Sequence, residues 1–352
     1  MYSWLCLNVG TGKSTLVQHI IDALDVQEEY IAYVAYTGKA ALVLQQKGCP
    51  GATTAHRLLY YSKELPDGTF EHKPRPYPPE ELKLIVVDEV SMLEKEQWDI
   101  LMKWGIHVIC LGDPFQLPPI HEDNGVLSHP HIFLDEVMRQ AQDSEILRLS
   151  MDIREGKYLN QFKGQDVKVV QSEHISDKLL NSANIVLCGK NVTRYGLNRR
   201  MRKSLWGDQY VDEPIAGDKC ICLKNQWSVG NLVNGAIGTI DNICKQNDKL
   251  LKPKMIADFL TEDNDYFTRL NMDYKLFTEG QPTVNKDNWK LFAKHPKPME
   301  FDYAYAITVH KSQGSEYPRV VVFNEFLGDY EYWRRWLYTA ATRASEKLII
   351  AM

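Results

Sequence analysis

The feature that most constrains this chain is Gly10-Thr11-Gly12-Lys13-Ser14-Thr15, set between the apolar run Trp4-Leu5-Cys6-Leu7 and the amphipathic stretch Leu16 to Leu24. A short buried strand, a glycine-rich loop and a helix in that order commit the N-terminal region to an α/β arrangement. Closely spaced glycines let successive backbone N–H groups converge on phosphate oxygens, and the following helix adds its positive end. In such a cradle Lys13 reaches β and γ phosphates and Ser14 ligates Mg²⁺, with Gly10, Thr11, Gly12 and Thr15 around the phosphates. ATP with Mg²⁺ is therefore the expected ligand pair. The full pattern has a glycine five residues before Gly12, where this sequence has Leu7. The loop is answered near the far end by Val309-His310-Lys311-Ser312-Gln313-Gly314-Ser315-Glu316 and Thr339-Ala340-Ala341-Thr342-Arg343-Ala344, so the nucleotide site is expected to draw on both ends of the chain.

With 352 residues, 44% of them hydrophobic and 25% charged, the sequence has room for two or three domains. No apolar stretch approaches the roughly 20 residues of a membrane span and no signal peptide precedes the loop, so a cytoplasmic protein without a membrane partner is expected. The seven cysteines lack paired C-x-x-C spacing and read as reduced core residues. A formal net charge of −5 argues against coating nucleic acid by bulk electrostatics, but leaves a local basic groove open.

Three apolar runs, Tyr30 to Ala35, Leu82 to Val87 and Ile106 to Leu111, alternate with helical segments, the pattern of a parallel sheet covered by helices. A second set follows at Asn184 to Cys188, Ala304 to Thr308, Val320 to Phe323 and Leu348 to Ile350, which makes two α/β domains the expectation. Prolines and a Pro66-Asp67-Gly68 turn within about 60–81 suggest an inserted hairpin or loop, with Tyr60 or Phe70 as a possible strand-separating wedge. Short glycine-bearing strands over 217–300 suggest an inserted β-barrel.

Leu84-Ile85-Val86-Val87-Asp88-Glu89 carries two carboxylates to the C-terminal end of a buried strand, where open α/β sheets hold ligands. Asp88 is expected to serve Mg²⁺ and Glu89 the attacking water. Gln116, in Gly112-Asp113-Pro114-Phe115-Gln116-Leu117-Pro118, follows another apolar strand, and its amide suits sensing a γ-phosphate. Aromatic side chains such as Phe115, Trp227 and Tyr330 offer stacking surfaces for bases, though most are expected in the core.

The ordered series of these segments, with Thr37-Gly38-Lys39-Ala40-Ala41, Thr53-Thr54-Ala55-His56, Asp88-Glu89-Val90-Ser91-Met92, Val137-Met138-Arg139-Gln140 and Tyr338-Thr339-Ala340-Ala341-Thr342-Arg343-Ala344, resembles superfamily 1 DNA helicases of the RecD and Dda branch over nearly the whole chain. That resemblance implies two RecA-like P-loop NTPase domains with parallel sheets: 1–135, and 136–216 with 301–352. Between the halves of the second lies a small SH3-like β-barrel at 217–300.

Carried over residue by residue, Lys13, Glu89, Gln116, Arg139 and Arg343 are catalytic, and Gly314 and Glu316 join the nucleotide site. Thr37, Lys39, Thr53, Thr54, His56, Asn234, Thr308, His310 and Lys311 contact DNA. Arginine fits the first role because its permanently charged fork stabilises developing phosphoryl charge. The implied partners are single-stranded DNA, single-strand/duplex junctions and replication, recombination or repair proteins; a monomer moving 5′ to 3′ is the expectation.

Relatives use an upstream glutamine to recognise adenine, and only 12 residues precede Lys13 here, so weak or base-tolerant hydrolysis is also expected. A binding or remodelling module that holds ATP without turnover is the rival reading. A P-loop kinase would leave Arg343 and Val309 to Glu316 unexplained, and no carboxylate cluster remains for a nuclease.

Overall fold

The computed structural model describes residues 2–7, 26–64, 70–119, 121–128, 130–134, 144–157, 164–226, 232–248, 253–285, 287–292 and 297–352, with isolated positions between them. Its contacts define two units, one of Met1–Ser62, His72–Gln171 and Ser312–Met352, the other of Lys63–Glu71 and Ser172–Lys311.

The first unit is built on a six-stranded sheet in the order Thr53–Thr54, Ile31–Ala35, Leu84–Val87, His107–Gly112, Tyr2–Leu7, Ile132–Leu134. Every pairing is parallel, with Val34 opposite Val87 and Val87 opposite Cys110. Alternation of side chains sends Leu84 and Val86 to one face with Tyr33, Ile109 and Leu111. Ile85 and Val87 go to the other, with Val34, Trp98 and Leu101. Both faces are covered, which is why these runs are continuously apolar rather than alternating. Each such side chain contributes about 1.5–3 kcal/mol on full burial. Parallel pairing also gathers the ends at Ala35, Thr54, Val87 and Gly112 onto one carboxyl edge.

A second parallel set matches the expectation. Val167–Val170, Ala344–Ala351 and Tyr317–Phe323 pair in the first unit, and Ile185–Cys188 pairs with Ala306–Thr308 in the second. The fold is α/β with two RecA-like parallel sheets.

The second unit also holds a five-stranded antiparallel sheet in the order Tyr266–Met272, Lys254–Thr261, Ile237–Gln246, Lys219–Cys222, Phe301–Tyr303. Its core includes Phe259 against Phe301, ring centroids 5.0 Å apart. A single parallel bridge joins Met272 to Met299 near the sheet's two edges.

Tyr60–Glu64 and Phe70–Pro74 form a two-stranded sheet where the proline-rich insertion was expected. Tyr60 is not an exposed wedge: it is 7% exposed, packs with Leu58 and Trp98, and its hydroxyl donates to Glu96 at 3.2 Å. The next residue, Tyr61, is the exposed one, with the Arg75 guanidinium 4.1 Å from its ring. The side chain of Phe70 lies outside the described residues. Cys110, Cys188, Cys220 and Cys222 are buried free thiols as expected, whereas Cys244 is exposed. Among the described residues no helix is long and apolar enough to cross a membrane.

Candidate functional site

Asp88 and Glu89 stand where the buried strand Leu84–Val87 ends. The Asp88 amide continues the ladder by donating to Val34 O at 2.8 Å, and Asp88 Oδ1 accepts from the Glu89 amide at 3.0 Å. Glu89 itself is left-handed, φ 52° and ψ 49°. A non-glycine residue there costs on the order of 1–3 kcal/mol and is concentrated at functional sites. Its Oε2 is buried with no hydrogen-bond partner. A neighbouring strand end approaches closely, because a Cβ on Gly112 would sit 2.9 Å from Val90 Cγ1. Beyond it Gln116 is 2% exposed and its Nε2 is also without a partner.

The loop bearing Gln116 is pinned to the helix Tyr330–Ala341, whose C-terminal end leads into Arg343. The Leu117 amide donates to Thr339 Oγ1 at 2.9 Å, and that hydroxyl donates to Arg335 O at 2.7 Å. Tyr338 donates to Asp113 Oδ2 at 2.7 Å, while Asp113 Oδ1 accepts from the Phe115 amide at 2.9 Å. Asp113 is wholly buried. Arg154 lies 3.5 Å over the Phe115 ring, so this aromatic is already engaged. Arg343 is 6% exposed and donates to Thr339 O, Ser315 O and Thr342 Oγ1. No carboxylate among the described residues pairs with it, which leaves a buried cation suited to an anion. Glu316, beside this loop, is exposed.

Thr37 and Thr54 cap the helices Gly38–Gln46 and Ala55–Leu59, their hydroxyls accepting from Ala40 N at 3.2 Å and Arg57 N at 3.3 Å. Capping leaves the remaining first-turn amides directed outward, the geometry that grips phosphate without reading sequence. Thr53 precedes the second cap on the same strand, and Lys39 Nζ lies 5.4 Å from the Tyr317 ring centroid. Gly314, with φ +74°, abuts this turn so closely that its Cβ would meet Ala40 Cβ at 2.9 Å. His56 is stacked on Tyr60 at 5.4 Å, edge-on to His72 at 5.6 Å, and has Gln97 Nε2 3.1 Å from its Nδ1. Desolvation first, then His72, pushes its pKa below the ordinary histidine value, against the pull of Glu94 and Glu96.

In the second unit Thr308 ends the strand Ala306–Thr308 and leads into the short helix Val309–Ser312 with His310 and Lys311. Burial lowers the His310 pKa. Asn234 lies exposed in a turn whose backbone amide donates to Asn225 Oδ1 at 2.8 Å. Gly10, Thr11, Gly12, Lys13, Ser14, Thr15 and Arg139 lie outside the described residues.

Sequence reasoning missed Tyr338, Thr339 and Asp113 as a buried clasp on the Gln116 loop. A tyrosine and a threonine directly upstream of Arg343 were the only signal.

Two family models match the chain, that of an AAA domain over residues 8–170 and that of a UvrD-like helicase C-terminal domain over 303–351. The ATP-dependent RecD2 DNA helicase of Deinococcus radiodurans is 27% identical over 361 residues, which cover 97% of this chain and 46% of that protein. The chain resembles superfamily 1 helicases. The ATP-dependent DNA helicase PIF1 of Xenopus laevis is 24% identical, covering 87% of this chain and 52% of its own length. The chain thus spans about half the length of these curated relatives. Among solved structures, a Pif1 helicase from Bacteroides in complex with ADP-AlF3 and ssDNA superposes with a TM-score of 0.59 at 16% identity, covering 100% of this chain and 88% of that one. The superposition shows a shared fold over the length of the chain.

Proposed function

We propose that this chain is an ATP-dependent DNA helicase that moves 5′ to 3′ on single-stranded DNA and opens duplex at a junction. The observation that carries the reading is the set of buried groups at the sheet's carboxyl edge, Glu89 Oε2 and Gln116 Nε2, together with a buried Arg343, none of which finds a hydrogen-bonding or carboxylate partner, respectively, among the described residues. These fit a triphosphate: a carboxylate acceptor for water, an amide donor for phosphate oxygen and a cation for developing charge. RecD2, PIF1 and Dda relatives carrying the name ATP-dependent DNA helicase support the same reading.

Glu89 takes the proton of the attacking water as the bond from γ-phosphorus to the ADP oxygen breaks. Arg343, with Arg139, balances the charge that shifts onto the departing oxygens. Asp88 and Ser14 would hold Mg²⁺, which would supply further charge compensation. Gln116 changes its partners as phosphate is cut, and the Asp113–Tyr338 and Leu117–Thr339 bonds pass that change to the helix Tyr330–Ala341. Thr37, Lys39, Thr53, Thr54, His56, Asn234, Thr308, His310 and Lys311 hold the strand, and alternation of grip gives net movement. The domains of this motor are 1–135, then 136–216 with 301–352, and the antiparallel sheet is its inserted SH3-like module. It works as a monomer in the cytoplasm.

The test is steady-state ATP hydrolysis with and without single-stranded oligonucleotide. Strong stimulation, lost in Lys13→Ala and Arg343→Ala, is expected and would be followed by unwinding of tailed duplexes. Nucleotide binding without turnover under any condition would instead make the chain a binding module.

A further inference from the structure

The chain contains two Asn-Gly steps, Asn124-Gly125 and Asn234-Gly235, and the fold treats them differently. At such a step the glycine nitrogen can reach the carbonyl carbon of the asparagine side chain, because glycine has no Cβ to block the approach. Asn124 is locked. Its Nδ2 donates to Val90 O at 3.1 Å and Leu93 O at 2.5 Å, and its Oδ1 accepts from the Val126 amide at 2.9 Å. Asn234 is exposed, and its side chain makes no hydrogen bond among the described residues. Both glycine amides are engaged once, Gly125 with Asp123 Oδ1 at 3.0 Å and Gly235 with Cys222 O at 2.9 Å. Those two bonds cancel in the comparison, so the bonds on the Asn124 side chain make the difference. Asn234 and Gly235 are the central pair of a turn that the Ala236 amide closes on Val233 O at 3.1 Å, with Gly235 at φ +89°. A further tie runs from the Asn234 amide to Oδ1 of the exposed Asn225 at 2.8 Å.

We propose that Asn234 is a self-modifying site, where this chain exchanges a neutral amide for a carboxylate. The step begins when the bond from Gly235 to Cys222 O opens and the Gly235 amide gives its proton to solvent. The Gly235 nitrogen then attacks Asn234 Cγ. The N–Cγ bond forms, the Cγ–Nδ2 bond breaks, and ammonia leaves with a proton taken from solvent, giving a cyclic imide. Water adds to one imide carbonyl and opens the ring, to an aspartyl or an isoaspartyl residue. The sum is amide plus water to carboxylate plus ammonium, with no other reactant. The consequence for DNA rests on the proposed role of Asn234 in holding the strand: a new negative charge there faces phosphates and loosens the grip. A bound strand restrains the turn, so the protein free of DNA is the form that converts.

Peptide mapping by mass of the full chain, held in mildly alkaline buffer, follows both Asn-Gly steps at once. In urea the two should convert at similar rates, since only the sequence then acts on them. In the folded protein Asn234 should convert about 100-fold faster than Asn124, the factor that the side-chain hydrogen bonds of Asn124 supply together. Asn225→Ala, which loosens the turn, should speed conversion at Asn234 alone by about fivefold. Equal rates in the folded protein, or an Asn234 that outlasts Asn124, would overturn the proposal. A single-stranded oligonucleotide should slow the step at Asn234. The Asn234→Asp protein should bind that oligonucleotide about tenfold more weakly at low salt, with the deficit shrinking as salt rises. Conversion that ignores the oligonucleotide, with Asn234→Asp protein binding as wild type, would overturn the consequence for DNA and leave the conversion, scored by mass alone, standing.

Discussion

The polar core of the second unit and the carboxyl edge of the first treat buried polar groups in opposite ways. In the second unit Arg202 forks onto Asp218 with both contacts at 2.9 Å, and Asp218 also accepts from Tyr305 and the Ile215 amide. Beside it Arg194 meets Asp302 at 2.5 Å, and Asn198 bonds Ala306 through both ends of its amide. At the edge in the first unit, Glu89 Oε2, Ser91 Oγ and Gln116 Nε2 are buried with no hydrogen-bond partner among the described residues. Low dielectric makes a completed network rigid and an incomplete one costly. The first arrangement is a frame; the second is the edge where the proposed function places the triphosphate.

The difference is broken most severely at Glu89. On the proposed mechanism Glu89→Gln removes the water's proton acceptor while keeping side-chain volume, and Oε2 has no hydrogen bond to lose among the described residues. DNA-stimulated kcat should fall by about 10²–10⁴, with the melting temperature unchanged or raised because an unpartnered buried carboxylate oxygen is neutralised. Steady-state hydrolysis beside calorimetry decides it; a fall in stability that accounts for the lost rate would make Glu89 structural.

Asp218→Ala should show the reverse signature. It strands Arg202 in the core, so unfolding in urea should lose about 3–5 kcal/mol, while hydrolysis per folded molecule stays near wild type. Equal loss of kcat and stability would mean that the frame is part of the site.

Tyr338→Phe tests the clasp between the two kinds of chemistry, since Asp113 is buried like a frame residue yet holds the loop of a site residue. Loss of the hydroxyl should cost about 1–3 kcal/mol, and Asp113→Asn added to it should cost little more. Additive losses in this double-variant cycle would show that the two groups do not act together.

The edge itself was legible in the sequence because apolar strands that end in Asp-Glu or Gly-Asp-Pro announce where a parallel sheet presents polar groups. The two parallel sets were readable from the same apolar runs, and the antiparallel strands within 217–300 from the shift to short glycine-bearing segments. The clasp was not, since Leu117 and Thr339 meet across 222 residues and no local spacing encodes that pairing. Tyr60 misled because a proline-rich flank reads as surface, while a strand starting directly after the helix Ala55–Leu59 turns its first ring into the core. Thr37 and Thr54 satisfied two readings at once, as caps and as edge residues, and sequence alone could not separate them.

The smallest expected effect is on pH dependence at His56, where frame and site overlap. Its ring faces His72, Tyr60 and Gln97, with the carboxylates of Glu94 and Glu96 nearby. Desolvation and His72 outweigh those carboxylates and depress the folded pKa below the unfolded value of about 6.5. Protons therefore bind the unfolded chain first. This contribution to stability is complete above about pH 6.5 and is lost as pH falls from there through the folded pKa. Urea midpoints should drop between about pH 7.5 and 5.5, and His56→Asn should shrink that drop; His310, lowered by burial, contributes with the same sign and supplies the remainder. Neutral at physiological pH, His56 would grip DNA by stacking and hydrogen bonding rather than by neutralising phosphate. The His56→Asn protein should then weaken oligonucleotide binding without changing its slope against log salt, and a reduced slope would show that the ring binds as a cation.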